Sequence, residues 1–147
     1  MKHRRFTIFL VLLILWSGLF AFLTLQNGPD TTATSLGLAH WLQRVLHLST
    51  DTETLHLLLR KAAHIVCLAG EGLLLTLMLC STPLPRRRCV LISLLVCFAL
   101  AVVSEAVKIP IAGRHFSWLD SGLNALGAAV GVAVASGIVS LWSRQQH

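Results

Sequence analysis

The chain has 147 residues, of which 55% are hydrophobic and only 12% charged, with a formal net charge of +6. Soluble domains carry about 25% charged residues, so this composition excludes an ordinary globular enzyme. The apolar residues fall in four blocks, 6–25, 60–80, 89–108 and 118–142. Each is close to the run of about 20 residues that crosses a hydrocarbon core of about 30 Å. The expected architecture is an all-α polytopic membrane protein: one domain over residues 1–147, four transmembrane helices, and an amphipathic helix in the first outer loop.

Block one follows the basic start "MKHRRF", which imitates a signal peptide. Its apolar run is too long for an h-region and no A-x-A site follows, so it reads as an uncleaved first span. "TLQNGPD" then supplies a turn signal. The outer loop, 27–59, contains "SLGLAHWLQRVLHLS", with Leu38, Trp41, Leu42, Val45 and Leu46 at helical spacing and Gln43 and Arg44 off that stripe. Ser35 or Ser49 would cap or end this helix. Two placements fit it equally: flat on the outer leaflet, or as a lid packed on the bundle.

Thr50 to Glu53 has capping-box spacing, so span two should start as a helix outside the membrane and enter lipid near Lys61. The short turn "STPLPRRR" makes spans two and three antiparallel neighbours. Span three closes at Pro110, after Lys108, and Trp118 serves as an interface anchor for span four. Gly127, Gly131 and Ala135, four apart, permit close helix approach and offer a face for a homo-oligomer. Cys67, Cys80, Cys89 and Cys97 show no C-x-x-C spacing and read as small apolar filler.

Lys2, Arg4, Arg5, Arg86, Arg87, Arg88 and Arg144 flank the spans on one side, with no acidic residue among them. By the positive-inside rule that side is cytoplasmic. The expectation is a multi-pass protein of the bacterial inner membrane with both termini in the cytoplasm. Topology accounts for the basic charge, so no nucleic-acid partner is expected.

Depth follows from a rise of about 1.5 Å per helical residue. Glu105 lies about 25 Å above the cytoplasmic arginines, and His64 and Asn124 reach the same level on their own spans. Arg60, Lys61, Lys108, Arg114 and Asp120 form a rim just above. Charged groups in lipid cost about 2.5–3.5 kcal/mol each at the helix centre, so they face the bundle interior and mark function. The plain alternative for Arg60, Lys61 and Lys108 is snorkelling at a helix end, and Arg114 with Asp120 would make a simple rim ion pair. Glu71, near the midplane, is either a proton carrier or a buried partner of His64.

These residues together resemble the VanZ-like membrane proteins. The carrying elements are "RKAAH" (Arg60 to His64), Glu105 near the end of span three, and "GRHFSWLDSGLNALG". The family shows R-K-x-x-H, then D-E-x-x-Q, G-R and D-x-x-x-N-x-x-G; Gln26 and Ser35 are weaker matches after the first span. Cys67 and Leu68 stand where the family has Glu and Tyr, Ser104 replaces its Asp, and Lys108 its Gln. Glu71, on the same helical face, is the residue expected to compensate for the missing Glu. The founding member is associated with resistance to the glycopeptide teicoplanin, so the resemblance implies an envelope role.

Three functions fit these residues. In the first, an outward polar pocket binds an anionic lipid headgroup or lipid-linked envelope precursor through Arg60, Lys61, Lys108 and Arg114, oriented by Asp120 and Asn124. In the second, an intramembrane enzyme uses His64 as base or nucleophile and Glu105 as its orienter. In the third, the polar layer serves only as a structural scaffold. No cofactor is expected, and no resident metal: His64, Glu105 and Asp120 are capable ligands but lack H-x-x-x-H or C-x-x-C spacing.

Overall fold

The computed structural model describes residues 2–47 and 50–144. The described chain is all-helical: α1 (Lys2–Leu25), α2 (Gly28–Leu46), α3 (Thr52–Cys80), α4 (Arg86–Ala106) and α5 (Trp118–Arg144). All but α2 are long and apolar enough to cross a membrane.

α3 is the hub, packing against each of the other four helices. Its 29 residues make a rod of about 43 Å at about 1.5 Å per residue, longer than the hydrocarbon core, so part of it stands outside lipid. The cap is Asp51, whose carboxylate accepts from the Thr54 amide at 3.2 Å. The expected capping box placed that role one residue earlier, at Thr50. Thr50 instead gives its carbonyl to the Gln43 side chain of α2 at 2.7 Å.

Small residues set the closest approach, between α3 and α5. A Cβ on Gly127 would collide with the Ile65 backbone, and one on Gly131 with the Ala69 backbone. In return, a Cβ on Gly72 would lie 2.7 Å from the Ala128 carbonyl oxygen. Ala128, Val132 and Ala135 are buried along the same seam. The face expected to carry a homo-oligomer is therefore consumed within the monomer, because α3 already occupies it. Gly131→Val should cost about 1–3 kcal/mol or more, as overpacked cores do, measured as a lower unfolding midpoint in detergent.

α1 docks on α3 through Trp16, whose indole covers Gly70 and donates to the Cys67 carbonyl at 2.8 Å. Its other faces, including Ile14, Leu15 and Phe22, are exposed, as expected of a lipid-facing span. The interior mixes the two kinds: Leu68, Cys97 and Ala128 form an apolar core, and Glu105, Asn124, Thr76 and Ser93 are also fully buried.

α2 starts well before the stripe that announced it. Asn27 caps it by accepting from the Asp30 amide at 2.8 Å, and Pro29 sits in its first turn. Ser35, an expected cap, lies inside the helix and donates to the Thr31 carbonyl; Ser49 is outside the described residues. Ala39 is buried. Trp41, Val45 and Leu46 of the stripe stand exposed, whereas Leu38 borders a cavity against the bundle. α4 also ends earlier than expected, at Ala106, leaving Lys108 in the turns that precede Gly113; Pro110 disfavours helix at the residue before it.

Candidate functional site

The polar layer expected from depth is assembled by α3, α4 and α5. His64 on α3 stands at its centre. Its Nδ1 lies 3.1 Å from Asn124 Oδ1 and 3.8 Å from Glu105 Oε1, and its Nε2 lies 3.5 Å from Asp120 Oδ2.

The hydrogen-bond pattern favours Nδ1 as the imidazole nitrogen that carries the proton. Ser104 donates its single hydroxyl proton to the Ala101 carbonyl at 3.2 Å, so it accepts from Asn124 Nδ2 at 3.1 Å. That turns the carbonyl oxygen of Asn124 toward His64. An amide oxygen only accepts, so His64 Nδ1 must donate.

Glu105 is fully buried and Lys108 is 3% exposed. They form a direct ion pair in which Lys108 Nζ donates to Glu105 Oε1. The second carboxylate oxygen, Oε2, is buried and has no hydrogen-bond partner among the described residues.

Arg114 arrives from the loop between α4 and α5. Its Nη1 donates to the Gln26 carbonyl at 3.0 Å and to Thr31 Oγ1 at 2.7 Å, instead of pairing with Asp120. The backbone repeats this attachment: the Gly28 amide donates to the Ala112 carbonyl at 3.1 Å. Gly113, at φ +72°, lets the chain turn there, and a Cβ on Gly28 would come within 2.6 Å of its carbonyl oxygen. Glycine at both positions allows the α1–α2 turn to lie directly on this loop. Burial draws the Arg114 guanidinium down from its ordinary value and nearby Arg60 adds to this, while Glu105 and Asp120 oppose it.

Beside the layer lies a cavity of about 190 Å³ between the ends of α1, α2 and α3. Arg60, His64, Lys108 and Arg114 line one side of it, with Gln26, Thr31, Thr34 and Ser35 contributed by α2 and its approach. Phe20, Leu23, Leu38 and Leu59 supply apolar wall. Arg60 has no ion pair or side-chain hydrogen bond among the described residues. Asp120 and Asn124 contact His64 but do not themselves line the cavity.

Two expected residues fall outside this group. Lys61 is exposed and does not line the cavity. Glu71, buried and two turns further along α3, accepts a hydrogen bond from Ser17 of α1 at 3.2 Å. Three contributions were not anticipated from residue patterns: Ser104 as the group that orients Asn124, Thr31 as the Arg114 acceptor, and Thr34 in the wall. The only sequence signal for that wall was the stretch after the first span, where Gln26 and Ser35 matched weakly.

Comparison with known proteins gives one result: the family model described as VanZ/LLP1 matches residues 7–141. No curated protein and no solved structure matches the chain.

Proposed function

This chain belongs to the VanZ/LLP1 family, and from that premise we propose that it holds the anionic headgroup of a membrane lipid or lipid-linked envelope precursor in an outward-facing pocket of the bacterial inner membrane. The observation that carries this reading is the mixed cavity wall. Arg60, Lys108 and Arg114 line the same small space as Phe20, Leu23, Leu38 and Leu59. Three fixed cations against the carboxylates of Glu105 and Asp120 leave one positive charge, which an anion would neutralise. Arg60, unpaired and half-buried, is the residue best placed to bind a phosphate or carboxylate through paired N–H donors. Hydroxyls of Thr31, Thr34 and Ser35 suit the polar remainder of a headgroup.

The cavity, at about 190 Å³, is smaller than the pockets of about 300 Å³ or more that enclose whole ligands. It therefore suits a headgroup whose chains stay in the bilayer, along the exposed apolar surface of α1. The exposed stripe of Trp41, Val45 and Leu46 supports α2 as an interfacial helix beside the mouth. The basic ends of α1, α4 and α5 support cytoplasmic termini. A general-base role draws less from this geometry, because Asn124 holds one His64 nitrogen and the other faces Asp120. The effect on glycopeptide susceptibility that the resemblance implies would follow from retention of an envelope precursor.

Native mass spectrometry of the purified protein tests the reading. Wild type should retain an anionic lipid or precursor, and Arg60→Gln should lose it about ten- to a hundredfold, the worth of one charged hydrogen bond of about 1.5–3 kcal/mol. Lys61→Gln, one residue away but outside the cavity, should retain it. Equal loss in both variants would reduce the effect to surface charge and end the pocket proposal.

A further inference from the structure

We infer that His64, Asp120 and Glu105 form a binding site for one divalent transition-metal ion, with Zn²⁺ the best-matched, and with a fourth coordination position left open. The starting point is the tautomer favoured above. With Nδ1 donating to Asn124, the Nε2 of a neutral His64 carries a lone pair, and that lone pair faces the Asp120 carboxylate at 3.5 Å. A cation between them, a proton or a metal ion, would satisfy both acceptors.

Distance separates the two cases. A proton shared by imidazolium and carboxylate draws the heavy atoms to about 2.7–2.9 Å. Bonds of about 2.0–2.1 Å to a tetrahedral ion place two ligands about 3.4 Å apart. The observed 3.5 Å matches the edge of a tetrahedron.

Glu105 supplies the third corner. One ligand atom from each of the three residues lies within 4.8 Å of the others. Lys108 occupies only Oε1, and Oε2 is fully buried with no partner, an expensive state for a carboxylate oxygen. A modest side-chain rotation of Glu105 would satisfy that oxygen on the ion. The supporting groups also have the form that metal sites need: the non-ligating His nitrogen donates to a carbonyl oxygen that is itself held in place, here by Ser104.

His64 and Asp120 remain partly accessible, at 18% and 26% of their side chains, so the ion has a route in. Three protein ligands with a free fourth position are the arrangement of zinc sites that bind an exchangeable ligand. An ion here would add two positive charges beside Arg60, and an anion's oxygen would be its natural fourth ligand. The spacing expectation argued against a metal only because the ligands come from three helices, one each.

The test needs no lipid, so it stands or falls separately from the headgroup reading. Full-length protein in detergent is stripped with EDTA, loaded with Zn²⁺, desalted and assayed for metal by mass spectrometry; Co²⁺ loading gives the geometry from visible absorption. Wild type should hold about one ion per chain and show the intense bands of four-coordinate Co²⁺. Asp120→Asn, isosteric and at a partly exposed position, should weaken binding at least tenfold, and Asn124→Ala about 10–100-fold. Circular dichroism identifies any variant that has not folded, and Asp120→Asn then decides alone. Zn²⁺ binding by Asp120→Asn as tight as wild type, or a Co²⁺ spectrum of the six-coordinate aqua type, overturns the site.

Discussion

Lys108→Met should lower the stability of the detergent-solubilised protein by about 3–5 kcal/mol, the cost of stranding one member of a buried ion pair. Glu105 is fully buried and Lys108 nearly so, and they contact each other directly. Methionine keeps the length and flexibility of the lysine stem while removing its charge, so packing loss contributes little. Glu105 would then stand in the helix interior with one oxygen newly bare and the other already without a partner. The double variant Lys108→Met/Glu105→Gln should recover most of the loss, because it removes both charges together. Chemical denaturation followed by tryptophan fluorescence measures both. A single variant within about 1 kcal/mol of wild type would mean that the pair is not buried as ions, and the charge count of the cavity would need revision.

Arg114→Ala should release the α1–α2 turn from the rest of the bundle. The guanidinium makes two hydrogen bonds to that turn, at 3.0 and 2.7 Å, and bonds from charged donors contribute about 1.5–3 kcal/mol each. A total loss of about 3–5 kcal/mol is expected, concentrated locally because α2 packs chiefly on α3 and this loop. Hydrogen exchange should therefore accelerate across residues 26–35 while the α3–α5 seam stays protected. Lys at this position should recover less than half, since a point charge cannot reproduce the planar fork that spans a carbonyl and a hydroxyl. Headgroup retention should fall as well, through loss of the wall that α2 contributes. Arg60→Gln should give the opposite pattern, with retention lost and exchange unchanged. Uniform acceleration over all helices in Arg114→Ala would contradict a latch.

The layer of His64, Glu105 and Asn124 was legible because depth in a membrane helix can be counted from its charged end, one residue at a time. Their convergence followed from the cost of facing lipid. The share of α2 was not legible. "GPDTTATSLG" has two glycines and no apolar period, so only the stripe after Ser35 read as helix. The structure forms those first turns with an Asn27 cap, a proline where helices tolerate one, and the hydroxyls of Thr32, Thr34 and Ser35 bonded back to carbonyls one turn earlier. Spacing of Gly127, Gly131 and Ala135 announced a close approach without naming the partner, since a small-residue face accepts a neighbour in the same chain as readily as a second copy. A metal-ligand set drawn one residue per helix leaves no spacing to read.

The polar links between helices also bear on the order in which the chain is made and inserted. α1 has no charged residue from Phe6 to Leu25, so it can leave the insertion machinery unaided and wait in lipid. Ser17 and Trp16 find their partners only when residues 67–71 follow. α3 cannot wait in that way. His64 needs Asn124 of α5, and Asn124 in turn is held by Ser104 of α4, whereas Glu105 meets Lys108 within its own segment. α3 would therefore enter lipid with a polar group whose partner arrives only two spans later. The last three spans should therefore be held together at the translocation channel and released as a unit, once α5 has closed the layer.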